Sequence, residues 1–358
     1  MINVTKTFLP PQNDYQALLK KAWETGWMTN RGVLVQELEQ KLKEHLQVPN
    51  VIAMTNGTLP LQIAIKALGL KGEIITTPFS YVATTSSIVW EGCTPVFVDI
   101  HPEYLTIDET KIEAAITPET SAILATHVFG NPCDVEAIEM IAKKHQLKVI
   151  YDAAHCFGVT YKGQSIFTYG DVSTCSFHAT KLFHTGEGGA LVCQPEYYNT
   201  MYDHHNFGHD GPEAFHGLGI NAKMSEPQAA MGLAVLPYMS HICARRKFVV
   251  ERYSNGLGSE DIQLLKLRDG VEWNYCYYPV IFKNEAVLMK VKTALEKEAI
   301  FARRYFYPSL DTLPYVDHSE PCQLSHKISA CVLCLPLYVD LDRQDVDRII
   351  KIINANIC

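Results

Sequence analysis

Val149-Ile150-Tyr151-Asp152-Ala153-Ala154-His155 is the stretch that decides how this chain folds. Its apolar run shows no period-two alternation and stops on a carboxylate. A strand that is apolar on both faces belongs in a parallel sheet covered by helices on each side. Ligands of such open sheets bind beyond the carboxyl ends of the strands, so Asp152 is expected to face a crevice. Similar short runs lie at residues 51–54, 73–77, 95–100 and 121–128. A helix-like stretch, 59–68, follows the first of them. Another, 135–145, opened by Asp134 as N-cap, precedes the strand at 148–152.

The flanks extend the same pattern. Leu34, Leu38 and Leu42 step by four along residues 33–46, with Glu37 and Lys41 spaced as an i,i+4 ion pair. Residues 188–193 read as another strand, and Ser225 with Gln228 as a capping box for a helix through Pro237. Beyond it a small α/β unit is expected. It has a strand near 276–282, a helix with Leu288, Val291 and Leu295 on one face, and a last helix carrying Val346, Ile349, Ile350 and Ile353. The expected organisation is a three-layer α/β sandwich with a mostly parallel central sheet over residues 1–238, and a smaller C-terminal α/β domain over 239–358.

Composition narrows the function. The 358 residues are 47% hydrophobic, enough to bury a sizeable core and to exclude a disordered chain. Thirty-one Lys and Arg stand against 39 Asp and Glu, a net charge of −8, which argues against sequence-independent nucleic-acid binding. No stretch reads as a membrane span: the long uncharged run 74–90 is crowded with Thr and Ser and contains Pro78. Without a secretory pattern at the N-terminus, the eleven cysteines read as buried free thiols in a cytoplasmic protein.

Three segments carry chemistry. Thr55-Asn56-Gly57-Thr58 lies between a strand and a helix, where backbone N–H groups and a hydroxyl can cup an anion; turn and cap are its bland reading. Asp152 ends its strand, as a helix-capping Asp also does. Ser176-Phe177-His178-Ala179-Thr180-Lys181 precedes Gly186-Glu187-Gly188-Gly189-Ala190, so a lysine stands between a strand and a glycine-rich loop. Desolvation there lowers its pKa and frees the amine as a nucleophile; an ordinary solvated lysine is the alternative. An amine for a carbonyl, an acid for a pyridine nitrogen and a cup for a phosphate are together the needs of pyridoxal phosphate.

With these motifs the chain resembles the DegT/StrS sugar-nucleotide aminotransferases, enzymes of the aspartate-aminotransferase fold (fold type I). The likeness runs from Trp27-Met28-Thr29-Asn30-Arg31-Gly32 to Leu335-Pro336-Leu337-Tyr338. It implies that Lys181 forms the internal imine with pyridoxal phosphate and shuttles the proton, while Asp152 pairs with the pyridinium nitrogen. Gly57, Thr58 and Ser176 are implied to hold the phosphate, joined by Asn221 from the partner of a homodimer with shared active sites. Tyr81 is implied to stack on the cofactor ring. His155 stands where many relatives carry Gln beside the ring hydroxyl. The resemblance further implies L-glutamate as donor and a nucleotide-linked keto-deoxyhexose as acceptor. It favours dTDP-4-keto-6-deoxy-D-glucose, giving a 4-amino sugar for surface polysaccharide. Amination at C3, or a catalytically silent regulator of the same fold, are the alternatives.

Two sharper motifs have bland readings. Cys331-Val332-Leu333-Cys334 sits in an apolar run and is expected to be structural. His204-His205-Asn206-Phe207-Gly208-His209-Asp210 lacks a second ligand cluster, so no metal is expected and a zinc hydrolase is disfavoured. Residues 302–308, with Arg303 and Arg304, suit an anion or a structural role equally, and stay outside the expected core site.

Overall fold

The computed structural model describes residues 1–258, 260–316 and 321–357. Seven strands form the central sheet. In spatial order they are Ile52–Met54, Gly189–Cys193, Val172–Ser176, Lys148–Asp152, Thr120–Thr126, Glu73–Thr76 and Thr94–Phe97. Only Gly189–Cys193 runs antiparallel to its neighbours; the other six share one direction. The sheet is therefore mostly parallel, as the doubly apolar runs require.

Alternation along the strands sorts side chains into two cores. Ile75, Ile123, Ala125, Val149 and Tyr151 pack on one face with Leu34, Leu38 and Leu42 of helix Val33–Leu46 and Ile138 of helix Val135–His145. Ile74, Ala122, Leu124 and Ile150 pack on the other with Leu61, Ala64 and Ile65 of helix Leu59–Ala67 and Ile88 of helix Val82–Trp90. Helix, sheet, helix: the three layers follow from period-two burial in strands that have no solvent face.

The C-terminal part has its own core. The antiparallel strands Ile262–Leu264, Tyr278–Phe282 and Val332–Leu335 pack against helices Glu285–Lys297 and Arg343–Asn354 through Val280, Leu288, Val291, Leu295, Val346, Ile349 and Ile353. Helix Met239–Gly256 starts just after residue 238 and serves both units. Met239 and Ile242 join the first core; Val249, Val250 and Tyr253 join the C-terminal one. The N-terminal strand Ile2–Asn3 pairs with Ile300–Phe301, so the first residues side with the C-terminal unit.

Some local expectations shift. Asp134 caps its helix by accepting from Ala137 N at 3.0 Å, and Gln228 Oε1 accepts from Ser225 N at 2.9 Å, as read from the sequence. The expected Glu37–Lys41 pair does not form; Glu37 instead bonds Lys21 of the preceding helix at 2.8 Å, because the two helices lie side by side. The run at 95–100 leaves the sheet after Phe97. Asp99 turns there to accept from Leu324 N and Ser325 N, both at 2.8 Å, at the start of helix Gln323–Cys331. Ten cysteines are free thiols, nine of them buried; Cys358 lies outside the described residues. Among the described residues no helix is long and apolar enough to cross a membrane.

Helix Val33–Leu46 has no side-chain cap of its own. Its first N–H groups go to fully buried Glu226, whose carboxylate accepts from Leu34 N at 2.7 Å and Val35 N at 3.0 Å. Gly32 permits this approach, since a Cβ there would lie 2.7 Å from the Glu226 carboxyl carbon. Glu226→Ala is expected to lower unfolding stability by about 3 kcal/mol, because two buried donors lose their acceptor. Glu226→Gln, keeping one oxygen, is expected to lose less. Urea unfolding measures both, and an unchanged midpoint for the alanine variant would show that the cap contributes nothing.

Candidate active site

The carboxyl ends of four segments converge on one cavity of about 240 Å³. Strands Lys148–Asp152 and Val172–Ser176 are parallel neighbours, with Asp152 opposite Thr174, so Asp152 and Ser176 emerge at the same rim. Strand Ile52–Met54 delivers Asn56, Gly57 and Thr58 to that rim, and the turn after Ser176 brings back Lys181. This turn is closed by Lys181 N donating to His178 O at 2.8 Å.

Gly57 packs so tightly over Ser176 that an added Cβ would lie 2.6 Å from the Ser176 Cβ. Gly189, between the two strands, is equally constrained: its Cβ would meet Asn56 O at 2.3 Å. The glycine-rich sequence is thus a packing requirement. Asn56 Oδ1 accepts from Thr58 N and Leu59 N at 2.9 Å and fixes the turn into the following helix.

Asp152 is buried. Its Oδ2 accepts from Thr84 Oγ1 at 2.7 Å and its Oδ1 from Ala154 N at 3.1 Å. Behind Thr84, Ser80 links to Thr84 at 2.7 Å and to Thr126 at 2.9 Å. Burial pushes the carboxyl above its ordinary value, opposed by the Thr84 and Ala154 bonds and by the Lys181 charge. Burial pushes Lys181 below an ordinary lysine, opposed by Asp152 and Tyr305. The amine lies 5.7 Å from the Tyr277 ring centroid.

His155 is stacked with Phe306 (5.7 Å, 6°) and Phe129 (6.4 Å, 10°), and its Nδ1 accepts from Phe129 N at 3.2 Å. Burial first, then Lys181, depresses its pKa well below the ordinary imidazole value. A neutral ring that accepts at Nδ1 carries its proton on Nε2. His155 is therefore a hydrogen-bond donor on the cavity lining.

Of the residues singled out in the sequence, Lys181, Asp152, His155, Gly57, Thr58, Tyr81 and Ser176 all line this cavity. Tyr81 sits before helix Val82–Trp90 with half its surface exposed. Asn221 does not line it; it is exposed and bridges to Asn206, while the next residue, Ala222, accepts from Thr55 N at 2.9 Å. Sequence reading missed Thr84 and Tyr277, and it left the segment 302–308 outside the core site, although the C-terminal unit brings Arg303, Tyr305 and Phe306 with Tyr277 to the wall. Thr84 was one of many Thr and Ser in the uncharged run 74–90 and had no signal of its own. Tyr277 had no signal, being an aromatic residue in an apolar run.

The remaining motifs fall elsewhere. Cys331 and Cys334 are buried, at a helix end and in a strand. His209 lies in a short hairpin with Phe215, and His216 bonds Asp203 at 3.0 Å. Among the described residues no cluster of three or more His, Cys, Asp or Glu side chains could hold a metal ion.

Residues 11–354 match the DegT/DnrJ/EryC1/StrS aminotransferase family. The chain belongs to that family. It is 42% identical, over 98% of both chains, to dTDP-4-amino-4,6-dideoxy-D-glucose transaminase of Shigella dysenteriae. It is 38% identical, again over 98% of both, to the Escherichia coli protein of the same name. Its structure superposes on that of DesI, solved in the presence of its TDP-sugar product, with a TM-score of 0.93 at 31% identity. That match covers 99% of this chain and 92% of DesI. This DegT/DnrJ/EryC1/StrS member is thus an aminotransferase with the expected fold type I architecture.

Two buried histidines near these strand ends are expected to make the protein acid-sensitive. His155 is held neutral, and so is His127, which is buried beneath the neighbouring strand end with its pKa lowered to about 3. Both folded-state values lie below the unfolded one, so below pH 6.5 the unfolded chain binds protons that the folded chain does not. Stability is expected to be full above pH 6.5. It falls as the pH drops toward 3, by up to about 1.4 kcal/mol per pH unit for each histidine. Chemical denaturation at pH 7.5, 6 and 5 tests this, with a shallower slope expected for His127→Gln and an unchanged slope refuting the assignment.

Proposed function

We propose that this aminotransferase binds pyridoxal phosphate and moves an amino group from L-glutamate to C4 of dTDP-4-keto-6-deoxy-D-glucose. The product is dTDP-4-amino-4,6-dideoxy-D-glucose, and the working form is a cytoplasmic homodimer. The observation that carries the reading is Lys181 and Asp152 sharing one buried cavity in a chain 42% identical to a transaminase named for that amino sugar.

The residues fit the cofactor. Gly57, Thr58 and Ser176 meet on the cavity lining at the N-terminus of helix Leu59–Ala67, where the helix dipole and the Thr58 and Ser176 hydroxyls favour an anion such as a phosphate. Asp152 accepts only two hydrogen bonds from protein and lines the cavity. Pyridoxal phosphate supplies, when bound, an aldehyde that exchanges amines and a ring that takes up the electron pair released at the amine-bearing carbon.

The chain's own groups do the rest. Lys181, whose pKa burial lowers, gives up its proton more readily than an ordinary lysine, and its amine would attach the cofactor and then take and return a proton at the substrate carbon. Asp152, whose charged form the Thr84 and Ala154 bonds support against burial, would hold a proton on the pyridine nitrogen. His155, a donor at Nε2, would serve the ring hydroxyl, and Tyr81, on the same lining, would cover the ring. Gly57, Thr58 and Ser176 hold the phosphate, with Asn221 of the second copy completing the cup. Buried Tyr277 and Phe306 exclude water from the proton-transfer path.

Borohydride reduction of the protein with pyridoxal phosphate is expected to label Lys181, and Lys181→Ala to lose the label; labelling at another lysine would refute its role. Asp152→Asn is expected to bind the cofactor and stay folded while turnover falls about 100-fold or more. Activity near wild type would remove Asp152 from the mechanism. Incubation with glutamate and a panel of keto-sugar nucleotides, read by NMR, is expected to place the amine on C4; an amine on C3 would overturn that regiochemistry.

A further inference from the structure

Arg303 and Arg304 are adjacent in sequence but differ in what they touch. The Arg304 guanidinium donates to Glu285 at 2.8 Å and to Ala330 O at 3.0 Å, and lies 3.5 Å from the Tyr307 ring centroid. It ties the C-terminal unit together. Arg303 is pinned through its backbone alone, which exchanges hydrogen bonds with Cys334 at 3.1 and 2.8 Å. Its side chain is exposed on the cavity lining, with its guanidinium 4.7 Å from the Tyr305 ring centroid. No carboxylate or other hydrogen-bond partner meets that guanidinium among the described residues.

The position relative to Lys181 is defined by two rings. Tyr305 packs edge-on against Tyr277 at 5.3 Å, and the Lys181 amine lies 5.7 Å from the Tyr277 centroid. Arg303 thus stands away from the reacting amine but within the same cavity. Apart from Lys181 it is the one Arg or Lys among the described lining residues.

We propose that Arg303 is the anion anchor of the substrate site, holding in turn the side-chain carboxylate of glutamate and the pyrophosphate of the sugar nucleotide. The proposal rests on the donor and acceptor assigned above. In a ping-pong cycle two chemically unlike substrates present a carbon to one amine in one cavity. What they share besides that carbon is an anion at the far end. In glutamate it is a carboxylate three bonds from the amine-bearing carbon; in the nucleotide it is the phosphate group attached across the hexose ring from C4. A planar guanidinium fork accommodates both in bidentate fashion, which an ammonium does not. With no ion pair to break, Arg303 can engage either anion without first losing a partner. Such contacts hold the substrate in both ground and transition states, so they act on affinity more than on the limiting rate.

The test uses holoenzyme of wild type, Arg303→Gln and Arg303→Lys, with two unreactive probes, glutarate and dTDP, titrated by calorimetry. Both are expected to bind about 10-fold more weakly to the glutamine variant, with part of the loss recovered by lysine. Each half-reaction is then followed from the cofactor spectrum. The half-saturating concentrations of glutamate and of the amino-sugar nucleotide should rise by a similar factor, while the limiting rates stay within about threefold. Weakened binding of one probe alone, of neither, or a loss confined to the limiting rates overturns the anchor. Wild-type enzyme that fails to turn over this pair sinks the substrate assignment separately, because the glutarate and dTDP titrations read the anchor without turnover.

Discussion

An amine and a carboxylate placed in the same dry cavity constrain each other, and the rest of the site is arranged around that fact. Burial alone favours the uncharged form of both, raising Asp152 and lowering Lys181. Their mutual attraction opposes this, and Tyr305 adds to it for Lys181, but among the described residues only the charged form of Asp152 is also held by hydrogen bonds, from the Thr84 hydroxyl and the Ala154 N–H. The outcome is asymmetric: a carboxylate supported in its charged form beside an amine with less to keep its proton. A base that is also a nucleophile requires that asymmetry.

Holding the two groups in place depends on close approach of backbones. The antiparallel strand Gly189–Cys193 sits between Ile52–Met54 and Val172–Ser176, and Gly57 and Gly189 let the three strand ends touch. Gln228 reinforces the junction from outside, its Nε2 donating to Thr55 O at 3.2 Å and Glu187 O at 2.8 Å. The residue that caps its own helix therefore also clips together the loop at residues 55–58 and the glycine-rich turn.

The outer wall comes from the C-terminal unit. Asn274 Nδ2 donates to His155 O at 2.8 Å and Phe157 O at 3.0 Å, and Trp273 Nε1 to Phe129 O at 2.8 Å. Fully buried Arg246 holds the carbonyls of Tyr275 and Cys276, just before Tyr277. The Asn274 and Trp273 bonds cross from the C-terminal segment to the strand-end loops of the large sheet. They fix the aromatic stack of Phe129, His155 and Phe306 against the cavity.

By itself the sequence determined which elements form and which of their ends carry chemistry. Runs such as 148–152 have no polar face, so they must become inner parallel strands. A carboxylate, a lysine and glycines just past such strands mark a cavity rim in advance. Helix caps such as Asp134 were equally legible, because their hydrogen bonds are local. Only the tertiary structure decided the partners that come from far along the chain. Thr84 reaches Asp152 across 68 residues, Glu226 caps a helix 192 residues before it, and Asp99 ends a strand to cap a helix 225 residues later. It also separated Arg303 from Arg304, which the sequence leaves equivalent. A side chain's periodicity shows that it is buried or exposed, whereas its partner is set by how whole layers pack, and no local pattern encodes that.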